Sequence, residues 1–251
     1  MAGHSHWAQI KRKKMAQDQK RGKLFSKLMR EIMVAARLGG GNPDTNPRLR
    51  RAIDAAKDAG MPKDNIERAI KKGTGELPGE ALEEVSYEGY GPAGVAFMLE
   101  AITDNKNRTT NEIRRIFSNY GGNLGQHGCV SWMFESKGII YVDENAVSEE
   151  ELYDIVIDAG AEDIEKEGGM YKITTSPDAF EQVKEALRAH NIEFKAEFTK
   201  IPKNIIKITN KSDAEKILKM MEAFDEHDDI RHVYANFDIP VEIMEEIASK
   251  G

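Results

Sequence analysis

Between residues 139 and 200 the chain runs Ile139-Ile140-Tyr141-Val142, then Glu149 to Ala159, Ile164 to Glu167, Tyr171-Lys172-Ile173-Thr174-Thr175, Ala179 to Ala189 and Phe194 to Lys200. The first, third, fourth and sixth pieces are short and carry β-branched or aromatic residues, which suits strands. The second and fifth space their apolar residues at helical intervals. The order is β-α-β-β-α-β, the ferredoxin-like unit.

The same order recurs around this stretch. Val95 to Thr103, Asn111 to Tyr120 and Val130 to Phe134 read as strand, helix and strand before it. Ile205 to Ile208, Ala214 to Phe224 and Ile230 to Asn236 read the same way after it. Joined, they make a second β-α-β-β-α-β unit. This predicts a discontinuous α/β domain over 79–135 and 204–240, with a ferredoxin-like domain, 136–203, inserted in its centre. A further strand, Val85 to Tyr90, precedes the turn at Gly91-Pro92.

Residues 1–78 are different. Leu24, Phe25, Leu28, Ile32, Ala35 and Ala36 mark one amphipathic helix, stopped at Gly39-Gly40-Gly41. Leu49, Ile53 and Ala56 mark a second, and Ile66 and Ile70 a third that Pro62 opens and Gly73 follows. Short connections between three such helices predict a small bundle. The expected fold class is therefore α+β and multi-domain: an N-terminal three-helix bundle plus two ferredoxin-like α/β domains, one inserted in the other, and a tail at 241–251.

The chain has 251 residues, 40% hydrophobic and 31% charged, and a formal net charge of −7. No apolar run approaches the ~18 residues of a membrane span. The single cysteine, Cys129, excludes an internal disulfide and a multi-cysteine metal site. A cytoplasmic setting is expected. The net charge conceals a division. Residues 1–75 hold 18 Lys+Arg and 7 Asp+Glu, a net of +11, whereas residues 76–251 hold 18 and 36, a net of −18. Such asymmetry indicates a nucleic-acid or membrane arm on an acidic body. The basic start has no apolar core behind it and leads into a helical pattern, so it reads as mature protein rather than a targeting signal.

The basic segment supplies the candidate site. Lys11, Arg12, Lys13 and Lys14, then Lys20 and Arg21, form a dense tail that contains Trp7. Lys23, Lys27, Arg30 and Arg37 fall within an arc of about 80° on their helix, away from its apolar face. Cations gain affinity for a phosphate backbone by releasing condensed counterions, and Trp7 can stack on a base. The loop Asp104 to Thr110, between a strand and a helix, reads first as ordinary helix capping with solvated charge. The alternative is a second contact, for nucleic acid or for a protein, at Asn105, Lys106, Asn107 and Arg108, where free helix N–H groups favour anions. The acidic body repels nucleic acid and offers a surface to a basic protein partner.

Other motifs carry less. Gly121-Gly122-Asn123-Leu124-Gly125 lacks the context of a nucleotide-binding loop and reads as a helix cap and turn. His4 and His6 lack a third metal ligand. Glu226, Asp228 and Asp229 beside His227 read as solvated charge. Cys129 reads as a buried small apolar residue. There is no catalytic constellation, so neither an enzyme nor a cofactor or metal is expected.

Several strings together resemble the YebC/PmpR family. They are Met1 to Trp7, Lys20-Arg21-Gly22-Lys23, Ala35 to Gly41, Met61 to Ile70, Tyr87-Glu88-Gly89-Tyr90-Gly91-Pro92, Thr103 to Thr109 and Gly121 to Leu124. The family pattern usually has lysine where this chain has His6. The resemblance implies a three-domain, cytoplasmic, nucleic-acid-linked regulator. Bacterial members carry the label of DNA-binding transcriptional regulators. Mitochondrial relatives act as translational activators of a cytochrome oxidase subunit, and some bacterial members are associated with the ribosome. The implied partner is DNA or ribosomal RNA, and the expected function is transcriptional regulation, with RNA-binding translation control as the alternative.

Overall fold

The computed structural model describes residues 17–248. Two compact units divide the chain: residues 132–204, and the segments on either side of them taken together.

In the larger unit the amino-terminal helices are α1 (Gln17–Gly39), α2 (Pro47–Asp58) and α3 (Lys63–Thr74). Their core is Leu28, Ile32, Leu49, Ala56, Ile66 and neighbours, with Leu82, just ahead of the sheet, and Ile102 from within it. Leu24, expected in that core, is instead 46% exposed. Asn46 fixes the α1–α2 corner. Its side-chain oxygen accepts from the Leu49 N–H at the start of α2, and its amide donates to the Ala35 and Gly40 carbonyls at the end of α1. Helix α3 runs through Gly73 and is capped by Gly75 at φ +86°. Gly73 serves packing rather than termination, because a Cβ there would stand 2.4 Å from the Met33 carbonyl oxygen of α1.

Four antiparallel strands follow: β1 (Glu83–Tyr90), β2 (Ala96–Thr103), β3 (Asn123–Leu124) and, after the inserted unit, β9 (Ile230–Ala235). Their order is β3-β1-β2-β9. Helices α4 (Lys106–Asn119) and α7 (Lys211–Glu226) supply a core in which Phe97, Phe117 and Phe224 meet at centroid distances of 5.0–6.1 Å. Gly121, at φ +81°, turns the chain from α4 into β3, as expected of a helix cap.

The strand assignment in this domain differs from the sequence expectation in two places. Residues 130–134 do not form a strand of the sheet. The Val130 and Ser131 N–H groups both donate at 2.8 Å to the carboxylate of buried Glu88, as does Gly128 N–H. Amides held by a side chain are not available to a neighbouring strand. Burial would raise the Glu88 pKa, but these backbone donors win and hold it below the ordinary value. Half-buried Cys129 has its thiol pushed up, first by burial and then by Glu88. Second, the 205–208 segment leaves the sheet: β8 (Ile206–Lys207) pairs in parallel with β10 (Phe237–Asp238). The place beside β2 belongs to β1, paired with it over the whole hairpin from Glu83↔Thr103 to Tyr90↔Ala96. A short hairpin costs less loop entropy than a partner a hundred residues away. The predicted tail at 241–251 contains a helix, α8 (Val241–Ala248), whose Met244 is buried in the domain core.

In the smaller unit β4 (Phe134–Asp143), α5 (Glu149–Asp158), β5 (Ala161–Glu167), β6 (Met170–Thr175), α6 (Phe180–Ala189) and β7 (Phe194–Pro202) follow the predicted order. The antiparallel sheet runs β5-β6-β4-β7, the ferredoxin-like arrangement. Ile140, Val142, Ile173, Leu152, Val156, Val183 and Leu187 form its core under α5 and α6.

Candidate nucleic-acid interface

Helix α1 presents Lys23, Lys27 and Arg30 along one stripe, and the structure places that stripe against the end of α7. The Lys27 ammonium donates to the Asp225 carbonyl at 2.7 Å, and Lys23 donates to the Glu226 carbonyl at 3.3 Å and lies 3.5 Å from the Asp228 carboxylate. The last carbonyls of a helix lack intrahelical donors and carry partial negative charge, so cations from a neighbouring helix satisfy both needs. Arg37 reaches the Leu82 carbonyl at 2.5 Å.

Asp229, in the turn after α7, is the hub. It is 3% exposed. One carboxylate oxygen accepts from Arg30 at 2.7 Å, and the other accepts from Thr109 at 2.7 Å, Arg108 at 2.8 Å and Thr103 at 3.2 Å. Burial would raise its pKa, but the bonds from Thr109, Arg108 and Arg30 overcome that and pull it down to about 2. Arg108 is held more firmly charged in return, through Asp229 and then Asp104. A second charged seam lies beside this one: Glu31 of α1 is bridged by Arg48 of α2 and Arg231 of β9, and Arg48 also grips Glu84 of β1.

Of the arc Lys23, Lys27, Arg30 and Arg37, the structure turns Lys27 and Arg30 partly inward and leaves Lys23 and Arg37 exposed. Lys27 and Arg30 are partly buried against the sheet domain, whereas Lys23 and Arg37 remain exposed while they touch the Asp228 carboxylate and the Leu82 carbonyl. The reading of Asp229 as solvated charge is corrected. The spacing of Asp228 and Asp229 after α7 gave no sign that the turn folds inward beneath α1.

The other expected residues are distributed as follows. Trp7, Lys11, Arg12, Lys13 and Lys14 lie outside the described residues, and Lys20 and Arg21 belong to the first turns of α1. The segment 104–110 is the start of α4 rather than a loop. Asn105 is its N-cap, accepting from Arg108 N–H at 3.1 Å, and Lys106 and Asn107 are exposed on its first turn. Arg108 binds an anion there, but an internal one, Asp229.

Cations outside the expected site stand out on α3, where Glu67 pairs with Lys63 at 3.5 Å. Arg68 and Lys71 of α3 are exposed and Lys72 is half-buried, and none of the three makes an ion pair or side-chain hydrogen bond within the described residues. They project away from buried Ile66 and Ala69. That opposition of charge and apolar residues was readable in the sequence.

A cleft of about 420 Å³ adjoins the hub, lined by Arg30, Arg108, Arg115, Glu112, Glu226 and His227 among others. Both signs of charge face it, so it does not offer an anion a single-signed bed. Glu112, His227 and Asp229 bring possible metal-ligating atoms within 4.8 Å of one another. Those atoms already have partners. His227 Nδ1 accepts from Asp229 N–H at 3.1 Å, and its Nε2 faces Glu112 at 3.0 Å. Among the described residues no helix is long and apolar enough to cross a membrane.

Comparison with known proteins agrees with this architecture. The chain is 54% identical over 250 residues to a "Probable transcriptional regulatory protein" of Dictyoglomus turgidum, covering 99% of this chain and all of that one. A protein of the same name from Syntrophus aciditrophicus is 53% identical over 251 residues, again with 99% and 100% coverage. The crystal structure of a conserved hypothetical protein from Aquifex aeolicus matches with a TM-score of 0.81 at 54% identity, covering 90% of this chain and 94% of that chain. Residues 5–76 match the model of the TACO1/YebC protein N-terminal domain, and residues 82–237 match that of the TACO1/YebC second and third domain. With both models matched in order and relatives aligned end to end, the chain belongs to the TACO1/YebC family.

Proposed function

We propose that this chain is a nucleic-acid-binding regulator, acting on transcription through its basic amino-terminal region. The contacts are assigned to Lys11, Arg12, Lys13, Lys14, Lys20 and Arg21, with Trp7 among them, and to Arg68, Lys71 and Lys72 of α3. Lys106 and Asn107 are a second contact. The observation that carries the reading is the charge division, a net of +11 in residues 1–75 against −18 in the rest. Among the described residues Arg68, Lys71 and Lys72 of α3 make no ion pair, and with the cations of 11–21 they are the groups this reading assigns to a polyanion. The name shared by the relatives supports the regulatory role.

A gel-shift series across salt concentration tests this. Each neutralised phosphate contributes a slope of about −0.9 in log K against log salt on duplex DNA. The six tail cations alone give a slope of about −5, and α3 adds about −3 more. Replacing Lys11, Arg12, Lys13 and Lys14 by alanine weakens binding and flattens the slope by about 3 to 4. Replacing Lys23 and Lys27 leaves the slope intact and lowers the melting temperature. Salt-independent binding, or a slope that responds to the α1 stripe instead of the tail, overturns the assignment. Running the series on duplex DNA and on ribosomal RNA identifies the polymer.

A further inference from the structure

Helix α5 of the inserted domain is built unlike its neighbour α6. Its ten residues, Glu149–Asp158, carry five carboxylates and no cation. On α6 the acids are matched at i+3: Glu181 lies 3.2 Å from Lys184, and Glu185 lies 3.3 Å from Arg188. On α5, Glu149, Glu150, Glu151, Asp154 and Asp158 are all exposed and make no ion pair within the described residues. The first three sit in the opening turn, where the helix dipole favours them. Asp154 and Asp158 have no such excuse. Asp158 is the last helical residue, against the negative end of the dipole, and Glu150, Asp154 and Asp158 form one continuous i,i+4 row of like charge, which destabilises an isolated helix. The fold gains nothing from this row.

Beside it runs a second i,i+4 row, Tyr153 and Ile157, while Leu152 and Val156 on the other side of the helix fill the core. Tyr153 is 42% and Ile157 45% exposed. An apolar ridge flanked by an acidic ridge is the complement of a helix with Lys or Arg beside large apolar residues at the same spacing. Nucleic acid and anionic lipid are repelled by such a row. The domain amplifies the field: residues 136–203 hold 16 Asp+Glu against 8 Lys+Arg.

We infer that the Tyr153/Ile157 ridge of α5, with Glu150, Asp154 and Asp158, is a docking surface for a cationic amphipathic segment of a partner protein. The partner's apolar side chains pack on Tyr153 and Ile157, and its cations neutralise the acidic row. This surface is independent of the nucleic-acid reading.

The test titrates the full chain with a fluorescein-labelled 18-residue Lys/Leu amphipathic helix and with an analogue bearing Ser for every Leu, following anisotropy. The wild type binds the Lys/Leu peptide at least tenfold more tightly than the Lys/Ser peptide. Two variants, Glu150→Gln/Asp154→Asn/Asp158→Asn and Tyr153→Ser/Ile157→Ser, each lose at least tenfold. The charge variant melts no lower than the wild type, since it removes only like-charge neighbours. Equal binding to wild type and variants overturns the inference, as does equal binding of the two peptides, which would be simple ion exchange. Sedimentation equilibrium gives a further arm. Self-association of the wild type that Tyr153→Ser/Ile157→Ser abolishes would mean that a second copy covers the ridge, and would overturn the assignment to a cationic partner.

Discussion

Replacing Asp229 by asparagine keeps the shape of the side chain and removes the charge on which two guanidinium groups converge. The magnitude follows from the carboxyl group's own titration. Its pKa lies at about 2 in the folded chain against an ordinary value of 3.8. A gap of that size corresponds to about 2.5 kcal/mol of stability at neutral pH. The carboxamide also brings its own donors to face Arg30 or the Thr109–Arg108 pair, which adds to the loss. Breaking a buried pair costs about 3–5 kcal/mol, and the partial exposure of Arg30 and Arg108, 24% and 43%, keeps the value toward the lower end. For a chain of this size, about 2.5 kcal/mol lowers the melting temperature by about 5–10 °C. Because the folded pKa lies below the unfolded one, the stabilisation is full above about pH 5 and is lost as pH falls through the folded value near 2. Urea unfolding of wild type and Asp229→Asn, measured from pH 7 down to pH 2, should therefore give two curves that converge at the acid end. A gap that stays constant across that range, or no gap at pH 7, would refute the charge hub as the fastening between α1, α4 and the α7–β9 turn.

Glu88→Gln should cost about 2–3 kcal/mol, since hydrogen bonds to a charged acceptor contribute about 1.5–3 kcal/mol and one of three backbone donors meets an amide donor instead. Hydrogen exchange at Gly128, Val130 and Ser131 should speed up with it, and unchanged protection there would refute the role. The Glu88 pKa is lowered from 4.5, so this contribution is present above that pH and fades on acidification. Gly73→Ala should destabilise by about 1–3 kcal/mol in thermal unfolding, because its Cβ would meet the Met33 carbonyl at 2.4 Å, and a gain in stability from the better helix former would show that α1 and α3 can separate freely. Leu28→Ala, at a side chain 5% exposed, should cost about 2–5 kcal/mol while leaving nucleic-acid affinity at low temperature unchanged.

The inserted domain was legible because its pattern is local. Strands such as Ile139 to Val142 and helices such as Ala179 to Ala189 declare themselves by periodicity, and their pairing follows from chain order. The discontinuous domain was less legible. The Val130 region reads as a strand by composition, and only the carboxylate of Glu88, some forty residues earlier, diverts its amides. Similarly, Ile205 to Ile208 has strand chemistry, but the competition between β1 and β8 for the edge of β2 is decided by loop length rather than by either sequence. The candidate site divides in the same way. That Lys23, Lys27 and Arg30 share an arc was readable. That Asp225 to Asp229 curls under that arc was not, because an acidic turn looks the same whether it faces solvent or a cationic helix. Arg68, Lys71 and Lys72 lie on a helix with the same apolar and charged faces, but three cations spread over five residues give a weaker signal than Lys11 to Lys14 in one run.

Internal pairing removes charges of both signs, and it sharpens the electrical division of the molecule rather than blurring it. Arg30, Arg48 and Arg231 pair with Asp229, Glu31 and Glu84, so these ion pairs of the seam between bundle and sheet balance in charge, while Lys23 and Asp228, 56% and 71% exposed, meet at the surface. Among the described residues, the charge left without an ion pair includes Arg68, Lys71 and Lys72 of α3 and the five carboxylates of α5. On the proposed function and the inferred docking surface, a single chain with net charge −7 attracts a polyanion and a polycation at once. Both attractions weaken with salt, whereas the seam, with Asp229 buried at its centre, is screened much less. Raising ionic strength should therefore release both partners well before it loosens the bundle from the sheet.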